Sequence, residues 1–294
     1  IEHVLHVASI ATAICRGLGL DTELAWAIGM GHDLGHTPFG HVGEKIIHDI
    51  MREKGFTGFE HELNSLRIVD FLAEHGKGLN LTYAVRDGIA CHNGERFVQS
   101  MKPLFAVKDL ASLHTRSEAV PSTWEATIVR FSDQIAYLGR DFEDACRLSL
   151  IDDNMLPPIA RTRLGKKNSE IINTLVNDII DHSNAIDGVC FSDNVFAAVE
   201  VMKEFNYHHI YRSPMLQGYS RYFQAGFVLS GIRGFRDKLA EKLRNNGGIS
   251  RRTKFWKGRR DGLNHSYPDS KKGLKELLRP ITMHLCHITK APQH

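Results

Sequence analysis

No stretch of this chain reaches the roughly 18 consecutive apolar residues that would span a bilayer, and its start carries no signal-like pattern. A cytoplasmic protein without membrane partners is the expectation. Cysteine is scarce: Cys15, Cys91, Cys146, Cys190 and Cys286 are odd in number, widely separated and never form a Cys-x-x-Cys pair. That argues against a disulfide scaffold or a cysteine-based zinc site and fits a reducing compartment. An excess of one charge is also missing, because 37 Lys and Arg against 34 Asp and Glu leave only +3. No global field therefore points to nucleic acid. Sustained period-two alternation is absent too, so few or no strands are expected, and no internal repeat is evident.

What is present reads as helix almost throughout. With 294 residues, 42% hydrophobic and 24% charged, the chain can bury a large core. Apolar residues recur at three- and four-residue spacing from Val4 to Leu18, where Gly17 and Gly19 stop the helix. Asp21 or Thr22 caps a second helix, Glu23 to about Leu34, and Thr37-Pro38 breaks the chain. Further helices are expected over about His41–Lys54, His61–Glu74, Tyr83–Cys91 and Thr123–Leu150, then near 168–183, 193–212 and 215–245. Residues 94–122 read as a loop with a short helix, and Asp152–Arg161 as a proline-containing connector. Ile1-Glu2-His3 already reads as helix without an initiator Met, which predicts that the numbering begins inside a domain.

Histidine is the residue that stands out. Six of the 17 (His3, His6, His32, His36, His41 and His48) fall in the first 48 positions. The adjacent pair His32-Asp33 offers one imidazole and one carboxylate to a common point, the ligand mix expected of Mn, Fe, Zn or a similar divalent ion. His3 and an acid from elsewhere would complete the set. Asp133 is the best acid, polar inside an otherwise apolar helix where a carboxylate needs a cation or donors to justify burial. Two histidines and two aspartates leave open positions for water and a phosphate oxygen, as a catalytic metal requires.

Four strings occur in order: His3-x-x-His6-Val7, His32-Asp33-Leu34-Gly35-His36-x-Pro38-Phe39-Gly40-His41, Phe59-Glu60-His61-Glu62, and Asp133-x-x-x-Tyr137-x-x-x-Asp141-x-x-Asp144. With them the chain resembles an HD-domain metal-dependent phosphohydrolase over about residues 1–215. More narrowly, it is similar to the deoxyguanosine triphosphate triphosphohydrolase family, which includes the vertebrate sterile-alpha-motif/HD dNTPase. The resemblance implies an all-α fold, an HD-domain helical bundle with a C-terminal helical extension. Residues 1–150 would form the catalytic core, 151–245 an extension completing the substrate pocket, and 246–294 a basic, weakly structured segment. It implies hydrolysis of dNTPs to deoxynucleoside and triphosphate, a divalent metal (Mn, Mg, Fe, Ni or Zn) and a homo-oligomer.

Carried over by residue, the resemblance makes His3, His32, Asp33 and Asp133 the metal ligands, His61 the catalytic histidine and Glu44 its carboxylate partner. A carboxylate hydrogen-bonded to an imidazole fixes its tautomer and raises its basicity, which suits such a pair. His36 would contact the α-phosphate, and His41 is a candidate to protonate the leaving 5′ oxygen. His41 as a helix cap and Glu44 as a solvated first-turn acid remain open. Asp133, Tyr137 and Asp141, spaced i, i+4, i+8, line one helical face. The family uses this face for deoxyribose, although Tyr137 also fits plain core. Lys203, Tyr207 and Tyr211 repeat the spacing and would suit a polyphosphate tail, unless Lys203 is a solvated charge.

The family's arginine three positions before the first ligand would fall ahead of Ile1, and Gln134 stands where the vertebrate relative has a phosphate-binding lysine. His92, before Asn93-Gly94, reads as a helix-end histidine rather than a second metal site, and His208 and His209 as surface. The strip 251–260, with six cations, Phe255 and Trp256, reads as a solvated basic tail; the alternative is binding of an allosteric nucleotide or single-stranded nucleic acid. Two other readings compete with a triphosphohydrolase: a different HD hydrolase chemistry, and a non-catalytic nucleotide- or nucleic-acid-binding regulator.

Overall fold

A computed structural model describes residues 1–53, 55–93, 97–113 and 120–215. The helix expected over 215–245, the segment 246–294 and the basic strip 251–260 lie outside the described residues. As expected, the architecture is all-α. The elements are α1 (Glu2–Leu18), α2 (Thr22–Gly31), α3 (Gly40–Glu53), α4 (His61–Arg67), a kinked turn α5 (Ala73–Gly76), α6 (Tyr83–Cys91), α7 (Trp124–Arg147), α8 (Pro158–Arg163), α9 (Asn168–His182) and α10 (Asp193–Asn206). A two-stranded antiparallel ribbon pairs β1 (Ser100–Met101) with β2 (Val189–Cys190).

Local chemistry sets the first two helices. Gly19 closes α1 in a left-handed conformation, φ 70°, with its N–H on Arg16 O while Leu20 N–H takes Cys15 O. Asp21 then caps α2, its side chain accepting from Glu23 N–H and Leu24 N–H. The two helices pack closely, since a Cβ at Gly29 would lie 2.7 Å from Ala8 Cα. Thr123 caps α7, which is buried along most of its length and packs on α1, α2, α6, α9 and α10. Around it Ile10, Ile14, Ile28, Phe131, Ile135, Ile171, Leu175 and Val199 form the main core, while Leu66, Val69, Val85 and Ile89 form a smaller one under α4 and α6.

Three stretches depart from the expected boundaries. The helix starting at His61 does not reach Glu74; it widens into a π-type turn over Ile68–Leu72, and Glu74 and His75 turn left-handed. The reason is long-range, because Val69 O accepts from Leu79 N–H at 2.7 Å. The helix after Ser192 likewise becomes π-type over Tyr207–Tyr211. The connector before residue 161 already contains α8, which Pro158 begins.

The chain between α2 and α3 is held against α4. Ser65 Oγ donates to His32 O and accepts from Gly35 N–H, both at 2.7 Å, and Asn64 Nδ2 donates to Gly35 O at 2.9 Å. A Cβ at Gly35 would sit 2.2 Å from Ser65 N and 2.3 Å from His61 O. Because both obstacles are backbone, Gly35→Ala is expected to destabilise the protein by about 1–3 kcal/mol, read as a lower thermal midpoint.

Candidate metal centre and acid–base cluster

Helices α1, α2 and α7 each deliver ligand-type atoms to one place. His3 projects from the first turn of α1, His32 and Asp33 follow the end of α2, and Asp133 lies midway along α7. His3 Nε2 is 2.8 Å from Asp133 Oδ1 and 3.5 Å from Asp33 Oδ2. His32 Nε2 is 3.4 Å from Asp33 Oδ2 and 3.7 Å from Asp133 Oδ1. All four expected ligands are thus brought together, His3, His32 and Asp133 buried and Asp33 nearly so.

Whether these residues suit a divalent ion is tested by His32. Its Nδ1–H donates to Gly29 O at 2.7 Å, so in the neutral ring Nε2 is the lone-pair nitrogen, the tautomer a metal ligand needs. That Nε2 is buried and makes no hydrogen bond among the described residues. An unsatisfied buried nitrogen costs about 1–3 kcal/mol, and a cation at this point would satisfy it. The donor set of imidazole nitrogen and carboxylate oxygen fits Mn, Fe or Zn. Two other groupings also hold their ligand atoms within 4.8 Å of one another: His32, Asp33 and His92, and His36, His41, Glu44 and His61.

The ionisation of His32 gives an independent readout. Burial alone would lower its pKa, but the adjacent Asp33 and Asp133 outweigh it and raise it to about 9. Without an ion, a proton on Nε2, facing Asp33 and Asp133, takes the place the cation would hold, so the metal-free protein carries His32 protonated at pH 7. Uptake of a divalent ion is expected to release about one proton per ion, with affinity rising up to ~tenfold per pH unit until about pH 9. Calorimetric titration in buffers of different ionisation enthalpy measures that release.

A second cluster adjoins the first. Phe39 (φ 69°) and Gly40 (φ 55°) turn the chain left-handed, and the His36 and His41 rings, on either side, meet at 5.1 Å. Glu44 collects three donors: His41 Nδ1–H at 2.8 Å, the backbone N–H of His61 at 2.9 Å and His61 Nδ1–H at 3.0 Å. Glu44 is buried rather than solvated, and His41 bonds to it. Burial would raise its pKa, but His41 and His61 hold it well below the usual carboxylate range. His61 is raised to about 9, because Glu62, Glu44 and Asp33 outweigh its burial. His36 stacks on His61, with centroids 4.0 Å apart. Asp33 Oδ1 links the clusters, standing 3.8 Å from Nε2 of His36 and of His61.

His92 and Glu62 are what sequence reasoning missed. His92 is buried inside the cluster, with Nε2 3.2 Å from His61 Nε2 and 3.8 Å from Asp33 Oδ1. Its Nδ1–H donates to Ile89 O at 2.8 Å, repeating the His32 arrangement. Burial and the neighbouring His32 and His61 push its pKa well below the ordinary histidine value, so it accepts from the protonated His61. Glu62, fully buried, lies 3.3 Å from His61 Nδ1.

Along α7, Tyr137 and Asp141 continue the face of Asp133 and are buried, and burial pushes the Tyr137 phenol up. Tyr211 joins them, its hydroxyl donating to Asp141 Oδ2 at 2.5 Å. The other two residues of that trio make contacts of a different kind. Lys203 Nζ lies over the Phe97 ring at 4.4 Å, with its pKa lowered to about 8 by burial, and Tyr207 packs under Arg212 at 4.5 Å.

Comparison with known proteins fits this geometry. The HD domain family model matches residues 1–138. The chain is 34% identical over 236 residues to a deoxyguanosinetriphosphate triphosphohydrolase-like protein of Desulfatibacillum aliphaticivorans, covering 79% of this chain and 62% of that protein. A protein of the same description from Thiobacillus denitrificans is 31% identical over 282 residues, covering 79% of this chain and 68% of its own length. The chain belongs to the HD-domain, deoxyguanosinetriphosphate triphosphohydrolase-like family. A third relative so described, from Caldanaerobacter subterraneus subsp. tengcongensis, is 36% identical over 211 residues and is 54% covered. This HD-domain chain therefore spans roughly three-fifths of the length of the first relatives it matches. Among the described residues no helix is long and apolar enough to cross a membrane.

Proposed function

We propose that this chain hydrolyses deoxynucleoside triphosphates to deoxynucleoside and triphosphate, with one divalent ion held by His3, His32, Asp33 and Asp133. The observation that carries the reading is the junction at Asp33. One of its oxygens faces His3 and His32 while the other faces His36 and His61, so metal-type and acid–base-type groups share one carboxylate. A bound divalent ion would supply Lewis-acid polarisation and charge neutralisation at a phosphate.

The protein's own groups do the rest. His61 stays protonated at neutral pH, flanked by Glu44 and Glu62, and holds positive charge beside the phosphate. His41 has the more open ring of the two histidines on Glu44, so it meets the leaving 5′ oxygen and donates its proton there. Glu44 fixes both imidazoles by their Nδ1 atoms, which directs both Nε2 atoms away from it. His36, stacked on His61, contacts the α-phosphate. Tyr137 and Asp141 take the sugar along the face leading away from Asp133, with Tyr211 orienting the Asp141 carboxylate. The names of the relatives support a nucleoside triphosphate as substrate.

The test incubates the full chain with each of the four dNTPs and GTP, with Mn, Mg, Fe, Ni or Zn, and resolves the products by chromatography. Deoxynucleoside with intact tripolyphosphate is the expected result. Release of orthophosphate or pyrophosphate would assign a different HD hydrolase chemistry, and nucleotide binding without turnover under every ion would assign a regulator.

A further inference from the structure

A buried polar group outside the metal cluster is used by none of these steps. Asp87 on α6 is fully buried, and Oδ2 accepts from Ser122 N–H and Ser122 Oγ–H, both at 2.7 Å. Its other oxygen faces Lys108, whose ammonium donates to it. One turn along α6 from Asp87 lies the fully buried thiol of Cys91, with Sγ 3.6 Å from Lys108 Nζ. Tyr83 fixes the lysine's backbone by accepting from Lys108 N–H at 2.9 Å. A thiol, an ammonium and a carboxylate are therefore in mutual contact.

We propose that Cys91 and Lys108 are a covalent modification site, joined by a nitrogen–oxygen–sulfur bridge when the protein meets dioxygen. Against its burial, Asp87 raises the Lys108 pKa, so the reaction draws on the fraction of Lys108 that has released a proton to solvent, leaving a neutral amine. The amine and thiol then combine with one molecule of dioxygen, Lys–NH2 + HS–Cys + O2 giving Lys–NH–O–S–Cys + H2O. One N–H and the S–H bond break, and N–O and O–S bonds form. Nitrogen and sulfur each lose two electrons, and dioxygen accepts all four. One oxygen atom ends in the bridge and the other in water.

Access and reactivity favour this product over the usual ones. The Lys108 side chain is 17% exposed above a thiol at 0%, which admits a small oxidant and excludes a bulky thiol partner. Cys91 is free, as are the other described cysteines, Cys15, Cys146 and Cys190. Burial first, and then Asp87, pushes the Cys91 thiol up to about 12, which suppresses the thiolate on which disulfide exchange and stepwise oxidation depend. The bridge would tie the end of α6, directly before His92, to the segment carrying Lys108.

Mass spectrometry of the full chain, exposed to air and then split into reduced and unreduced halves, tests the site whether or not the chain hydrolyses dNTPs. The expected unreduced product is heavier by one oxygen and lighter by two hydrogens. Its Cys91 peptide is linked to the Lys108 peptide, resists alkylation, and reverts with dithiothreitol. Cys91→Ser and Lys108→Arg should each abolish the shift, and the arginine keeps a cation for Asp87 so that folding is preserved. Full alkylation of Cys91 after air exposure, sulfinic or sulfonic acid without a cross-link, or the same mass gain in Lys108→Arg would each overturn the proposal.

Discussion

Asp33→Ala is expected to lose both divalent-ion binding and turnover. Its carboxylate stands within 3.4–3.8 Å of five imidazole nitrogens, on His3, His32, His36, His61 and His92. Removing it deletes a proposed ligand and leaves those rings without the anion that separates them. Several kcal/mol of transition-state stabilisation depend on the ion, so kcat/KM should fall by about 10³-fold or more. Metal analysis of the purified variant should give far less than one ion per chain. A variant with wild-type metal content and near-wild-type activity would remove Asp33 from the account.

Glu44→Gln should separate the two clusters. The carboxylate is bonded to His41 and His61, which are not among the proposed ligands, so metal content is expected to stay at the wild-type level. Turnover should drop by about 10²–10⁴-fold, the range for losing a positioned acid–base group. The pH profile carries the diagnostic part. Glu44 is one of the carboxylates that raise His61 to about 9, so the wild-type enzyme should lose activity as pH climbs through about 9. In the variant that fall moves to lower pH. The same shift has a stability consequence. Because the folded pKa exceeds the unfolded value of 6.5, the stabilisation is complete below about pH 6.5 and is lost as pH rises through about 9.

What the sequence made legible was local. Gly19 and the Asp21 cap mark the α1–α2 junction, and the His-Asp pair falls just where α2 ends. The shortage of strands follows from missing alternation, and among the described residues the strands are the two-residue pair β1 and β2. What it concealed depends on contacts between distant segments. His92 looks like any histidine before a turn, and nothing near it in sequence announces that α6 ends against His32 and His61. Glu62 beside a catalytic-type histidine could equally have faced water. The helix expected through Glu74 fails because Leu79 captures a carbonyl of that helix from ten residues away. The Lys203, Tyr207 and Tyr211 spacing assumed continuous α geometry, whereas the helix widens at Tyr207; Lys203, in the last α turn, lies over Phe97, and Tyr211 reaches Asp141.

The most direct measurement is anomalous diffraction from crystals of the chain soaked in manganese. One strong peak bonded at about 2.0–2.2 Å to His3 Nε2, His32 Nε2 and oxygens of Asp33 and Asp133 is the predicted result. Ordered manganese on His36, His41, Glu44 and His61 instead, or none between α1, α2 and α7 at saturating metal, would contradict it.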